Sequence, residues 1–144
     1  MNNKISILPI ALNDKNIISR FNISDLRKAG ALSSFGKDFD HLGKKLLIQK
    51  YYYTLGMSID DLVKIFNLKK PDYLKIDVDG IEHLILQGGK ETLSNSKSIL
   101  IEITDSFIDQ SSICYKILNE NNFSKIENKY STENNLTQNQ IWIK

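Results

Sequence analysis

The sequence predicts an α/β fold built on a mostly parallel sheet, and three observations carry that reading. Residues 73–78 (YLKIDV) and Ser98–Thr104 (SILIEIT) are short runs rich in branched or aromatic residues, the pattern of strands inside a sheet. Segments of helical period lie between and after them, so consecutive strands are joined by crossovers and run parallel. Only the last two runs, residues 123–130 and 140–144, are close enough in sequence to return directly as an antiparallel pair.

The elements follow in order. Residues 5–12 (ISILPIAL) are apolar and branched and read as a strand, with Pro9 confined to an edge or a bulge because it donates no ladder hydrogen bond. Asn13-Asp14-Lys15-Asn16 is a turn, and Ile17–Ile23 (IISRFNI) is a strand returning from it. Residues 24–47 carry scattered Gly30, Ser33, Ser34, Gly36 and Gly43 and read as a long surface loop with one helical turn at most; loops of that length are often functional. Residues 48–54 (IQKYYYT) are aromatic and β-prone. A helix opens at Ser58 and runs to Phe66, with Ser58 as N-cap, Asp61 closing a capping box, and Asp60 and Asp61 facing the positive end of the helix dipole.

After the strand at 73–78, Ile81, Leu84 and Ile85 recur at helical spacing until Gly88-Gly89 breaks the pattern, and Leu93 belongs to a further short turn. Ser98–Thr104 carries Glu102 as its one interior charge. Residues 111–120 form a helix with Ile113, Ile117 and Leu118 on one face, and an Asn/Thr/Gln turn region separates the two closing strands.

The whole chain sets bounds on function. At 144 residues and 41% hydrophobic, it suits one domain with a real core. A net charge of +2, from 19 basic and 17 acidic residues spread along the chain, leaves no electrostatic footprint for nucleic acid or an anionic membrane. Cys114 is the only cysteine, which excludes an internal disulfide and a cysteine-based zinc cluster, and its helical context reads as a buried, bland thiol. The first fifteen residues lack the pattern of a secretion signal, and no window approaches the roughly 20 apolar residues of a membrane span. A soluble cytoplasmic protein is expected.

The chemistry concentrates at KIDVDGIEH, residues 75–83. Strand ends at helix starts are where open α/β sheets keep their ligands. On an extended strand Asp77 and Asp79 share one side, and burying two carboxylates together without donors or a cation costs several kcal/mol. A plain alternative is capping: Asp79 or Gly80 at the N-cap and Glu82 in the first turn would satisfy free N–H groups of the next helix.

At this point the residues resemble a known family. KIDVDGIEHLILQGG followed by ILIEI is similar to the C-terminal half of FkbM-type S-adenosylmethionine-dependent methyltransferases, whose pattern is a K-I-D-V-E-G-x-E run, an L-x-G-[AG] break and a strand bearing a glutamate. Ala11-Leu12 with Asp14-Lys15, and Ser58-Ile59-Asp60-Asp61-Leu62, resemble two further family segments, so the likeness covers nearly the whole chain. Asp79 departs from it by standing where the family has glutamate.

The resemblance implies a Rossmann-like class I methyltransferase sheet, partial here, with S-adenosylmethionine as cofactor and O-methylation of a sugar or other small hydroxyl compound as the reaction. It implies that Asp77 lies beside the cofactor's methyl end or the acceptor, with Lys75 pointing the same way. Glu82 and His83 border the same pocket as candidate catalytic groups, and Ala11, Leu12 and Asn13 flank the adenine. Glu102 is similarly placed. The family's glycine-rich first turn and its second strand have no counterpart in this sequence. The likeness therefore implies one partial domain, residues 1–144, with impaired cofactor binding on its own. Two open sheet edges, where the absent strands would sit, invite self-association.

Two other classes fit parts of the pattern. Asp77-Val78-Asp79 matches the metal-binding D-x-D of nucleotide-sugar glycosyltransferases, which leaves the G-x-E and Gly-Gly features unexplained. A non-catalytic interaction module derived from a methyltransferase accounts for the missing cofactor turn. A calcium loop fails on spacing, because Lys75 and Leu86 stand where carboxylates would be needed.

Overall fold

The computed structural model describes residues 5–27, 32–126 and 137–144. Two four-stranded sheets share the work. The first contains β1 (Ala11–Leu12), β2 (Ile17–Ile23), β3 (Ser33–Phe35) and β4 (Lys50–Met57), in the order β1-β4-β2-β3. The second contains β5 (Tyr73–Ile76), β6 (Ser98–Thr104), β7 (Ser124–Lys125) and β8 (Thr137–Ile143), in the order β5-β6-β8-β7. Four helices complete the described residues: α1 (Ile59–Ile65), α2 (Glu82–Gln87), α3 (Lys90–Asn95) and α4 (Ile108–Glu120).

The mostly parallel sheet is corrected to two mixed ones. Each has a single parallel pair, β1 with β4 and β5 with β6, and the other pairs are antiparallel. The parallel β5–β6 pair follows from the crossover through α2 and α3, as expected. In the first sheet β2 does not return against β1: β4 comes between them, pairing along all seven residues of β2. Of the run at 5–12, only Ala11 and Leu12 pair, while Ile5 and Ile7 stand 81% and 86% exposed.

The second sheet holds the core. On β6 the side chains at 99, 101 and 103 are fully buried, and they meet Ile85 and Leu86 of α2, Leu93 of α3, and Cys114 and Leu118 of α4. The helices thus cover one face. The other face, with Tyr73, Lys75 and Ile141, is open to solvent. Among the described residues β1 and β5 each have a neighbour on one side only.

Several boundaries differ from expectation for local reasons. The expected strand at 48–54 runs instead over Lys50–Met57, because its whole length is used by the ladders to β2 and β1. The expected loop at 24–47 contains β3, and a hairpin follows, closed by an isolated bridge from Phe39 to Lys45 and by the Asp40 carboxylate accepting from Leu42 N and Lys44 N. The final helix starts three residues early, at Ile108. Residues 127–130 of the expected strand, and the turn region to 136, lie outside the described residues. No described helix is long and apolar enough to cross a membrane.

The two sheets meet through α1. Ser58 caps it as expected: Asp61 N donates to Ser58 Oγ at 3.1 Å, and Ser58 Oγ donates to the Asp61 carboxylate at 3.0 Å. Asp60 serves a different helix. Its carboxylate accepts from Glu91 N and Thr92 N, both at 2.8 Å, and so caps α3, whose own N-cap, Gly89, has no side chain to do so. Gly88 ends α2 and also permits a close approach, since a Cβ there would lie 2.3 Å from Asn13 O.

Candidate functional site

The turn from β5 to α2 is built around Glu82. Its side chain is fully enclosed, and its carboxylate accepts from Val78 N at 3.1 Å, from Gly80 N at 3.1 and 3.3 Å, and from Gln110 Nε2 at 2.6 Å. Gln110 in turn accepts from Thr104 N at 3.0 Å. This chain of bonds holds the carboxyl ends of β5 and β6 side by side. A carboxylate with three donors has the role of a clamp, because each donor would otherwise lack water and a partner. Glu82, expected to border a pocket, is enclosed instead.

Strand geometry ends at Ile76, and this changes the positions of the two aspartates. Asp79 adopts a left-handed φ of +58°, and its carboxylate accepts from Leu32 N at 3.0 Å, across 47 residues of sequence. It caps nothing: the N-cap of α2 is Ile81. Gly80, at φ +118°, sits where a Cβ would lie 2.8 Å from Asp40 O and 3.1 Å from His41 Cα, so the hairpin at 38–46 packs directly on this turn. Asp77 alone stays open. Its one partner among the described residues is Lys75, with Nζ at 2.7 Å, and both side chains reach solvent. Exposed pairs of this kind are worth about 0–1 kcal/mol, so little holds Asp77 away from a ligand.

By register, Asp77 extends the Ile76–Ile101 pairing toward Glu102. Glu102 is half-buried, and burial, then the charges of Asp77, Glu82 and Asp79, push its carboxyl above the usual range; His41 opposes them. His41 is a residue that the sequence pattern did not single out, and its buried Nδ1 has no hydrogen-bond partner among the described residues. No spacing connects position 41 to position 102, so only the packing of the hairpin on Gly80 reveals it.

His83 lies elsewhere. It is 8% exposed, its ring meets Phe107 edge-on at 6.4 Å, and its Nδ1 also lacks a partner among the described residues. Burial and then the charge of Lys37 hold its pKa down, against Asp109 and Asp14, so the ring is neutral at pH 7.

The three residues expected at an adenine are separated from one another. Ala11 lines a cavity of about 340 Å³ together with Pro9, Thr54 and the stacked pair Phe21–Tyr52 (5.3 Å). Leu12 packs against the core. Asn13, 7% exposed, lines a smaller cavity with Asp14, Lys37 and Leu84. All three belong to the first sheet or its turn, whereas Asp77 and Glu102 belong to the second. Cys114 is fully buried, and burial pushes its thiol far up, as a bland core residue requires. Among the described residues, no three His, Cys, Asp or Glu side chains are grouped so as to hold a metal ion.

Comparison with known proteins adds one finding. A family model described as the methyltransferase FkbM domain matches residues 2–132. No curated protein matches the chain, and no solved structure does.

Proposed function

The chain belongs to the methyltransferase FkbM domain family, and we propose that it transfers a methyl group from S-adenosylmethionine to a hydroxyl of a sugar or similar small compound, on a Rossmann-like arrangement of its sheets. The observation that supports this reading is the availability of Asp77. Of the carboxylates around the β5–α2 turn, Glu82 is bound to backbone and Gln110, Asp79 is bound to Leu32 N, and Asp77 is left at a strand end with an exposed lysine.

Methyl transfer to oxygen is an in-line displacement, so a protein aligns the acceptor and receives its proton. When bound, the cofactor supplies an electrophilic methyl group on a sulfonium. In this reading Asp77 receives the hydroxyl proton and Lys75 steadies the carboxylate. Glu82 acts at one remove, by fixing the turn from which Asp77 projects. His83, neutral and with no hydrogen-bond partner for Nδ1 among the described residues, is the second candidate base. For the cofactor, the Ala11 cavity has the size and aromatic floor that suit a purine, whereas Leu12 packs against the core and Asn13 lines a separate cavity.

Calorimetry with S-adenosylmethionine and transfer of a labelled methyl to a panel of sugars test the proposal. The chain is expected to bind the cofactor weakly and to transfer, and Asp77→Asn to lose about 100-fold or more in rate while keeping that affinity. Neither binding nor transfer by the wild-type chain would sink it.

A further inference from the structure

One side of the first sheet carries an exposed patch that the methyl-transfer reading leaves unused. Tyr51, Tyr53 and Leu55 alternate along β4 and so share that side, and the ladder sets Ile18 opposite Leu55 and Arg20 opposite Tyr53 on it. All five are exposed, Ile18 by 69% and Tyr53 by 63%. Toward β3 the same side closes, where Asn22 Nδ2 donates to Lys37 O at 2.8 Å and Ser34, across from Asn22, is buried. The opposite side is already in use. There Tyr52 stacks on Phe21, and residues 8–11 line a cavity against both.

Arg20 gives the patch its character. Its guanidinium lies 4.5 Å from the centre of the Tyr51 ring and 5.9 Å from that of Tyr53, and its Nε donates to Tyr53 Oη at 3.4 Å. Among the described residues no carboxylate pairs with it. The wider charge agrees. Residues 5–57, which hold the whole first sheet, carry eight Lys or Arg against four Asp, a formal +4, whereas residues 58–144 carry ten against thirteen acids, a formal −3. Charge that is spread along the chain therefore divides between the two sheets, with the positive part on the first.

These features discriminate among occupants. A second copy docked face to face would set the central Arg20 against its own counterpart, a like-charge contact. A purely apolar partner would strip the guanidinium of water and give it no anion in exchange. A chain of planar apolar groups joined by anions answers both needs, because rings on a sheet stack bases and an arginine beside them meets the phosphate or lends its own plane to a base. We propose that this face of the first sheet binds single-stranded nucleic acid, with bases on Tyr51 and Tyr53 and a phosphate at Arg20. The proposal stands on the patch itself and does not depend on the methyl-transfer reading.

The test is fluorescence anisotropy of the full chain with labelled oligo(U) and oligo(dT) of about ten nucleotides. Saturable binding is expected in the range of about 10–100 μM at 50 mM salt, weakening about threefold by 200 mM, the slope of one phosphate contact. Tyr51→Ala and Tyr53→Ala should each weaken binding about tenfold, and Arg20→Gln should remove most of the salt dependence. All three positions are exposed, so the thermal transition should not move. An abasic oligomer of the same length binding as tightly as oligo(dT) would overturn the proposal in favour of a plain anion patch. A dimer in sedimentation that Tyr53→Ala dissociates would overturn it in favour of a second copy, and no anisotropy change at millimolar protein would overturn it outright.

Discussion

The two sheets are stabilised in different ways. The second buries three consecutive inward side chains of β6 at zero exposure beneath three helices, and every member of the buried core cluster comes from residue 59 onward. The first leaves Ile18, Tyr53 and Leu55 exposed and is held by its ladders, by the Phe21–Tyr52 stack and by Arg20 lying 4.5 Å over the Tyr51 ring. A ladder fixes geometry but buries little apolar area, whereas helices packed on a sheet do both. Stability should therefore reside in the second sheet. The first should tolerate change until its junction with α1 and α3 is touched.

The largest expected effect is at the clamp. Glu82→Ala leaves Val78 N, Gly80 N and Gln110 Nε2 without their acceptor inside the protein. Urea unfolding should show a loss of about 4 kcal/mol. A loss below about 1 kcal/mol would mean that water replaces the carboxylate and that the turn is open to solvent.

Next is the core itself. Leu118→Ala removes a fully buried side chain and should cost about 3 kcal/mol. Tyr53→Ala in the first sheet should stay within about 0.5 kcal/mol. Equal losses at the two positions would abolish the contrast between the sheets.

That contrast also explains what the sequence disclosed. β6 was legible to the residue because a run of branched apolar side chains in a covered strand has no competing reading, and α1 was legible because Ser58 and Asp61 make a capping box by local chemistry alone. β3 was not: Ser33-Ser34-Phe35 is three residues with no alternation, and it forms because β2 offers a free edge. At the candidate site, the acidic turn after β5 was readable from KIDVDG, although the strand ends at Ile76 and not at Val78, so that Asp77 lies just beyond it. The left-handed backbone at Asp79, the enclosure of Glu82 by Gln110, and the approach of His41 to Glu102 all depend on segments far apart in sequence, and no spacing rule connects them.

The junction between the sheets is tested by Asp60→Ala. This change removes the acceptor for two backbone donors of α3 and should cost about 1 kcal/mol, as loss of an N-cap does. Because α3 has only six residues and no side-chain cap of its own, hydrogen exchange at Glu91 and Thr92 should accelerate well before global unfolding does. Unchanged exchange there would show that Gly88 packed on Asn13 is sufficient to hold the junction.

The smallest effect belongs to Glu102, and its sign is the informative part. Its carboxyl is raised in the folded chain, first by burial and then by Asp77, Glu82 and Asp79, with His41 opposing. A raised acid binds its proton more tightly when folded, so stability falls as pH climbs from the unfolded value, about 4.3, through the folded one, and stays lower above it. Glu102→Gln removes that penalty. Thermal unfolding should therefore show the variant equal to wild type below about pH 4 and slightly more stable at pH 7. A variant less stable at pH 7 would mean that the His41 hairpin supplies Glu102 with a cation strong enough to outweigh three neighbouring carboxylates. The open face of the second sheet would then owe part of its stability to the loop lying over it.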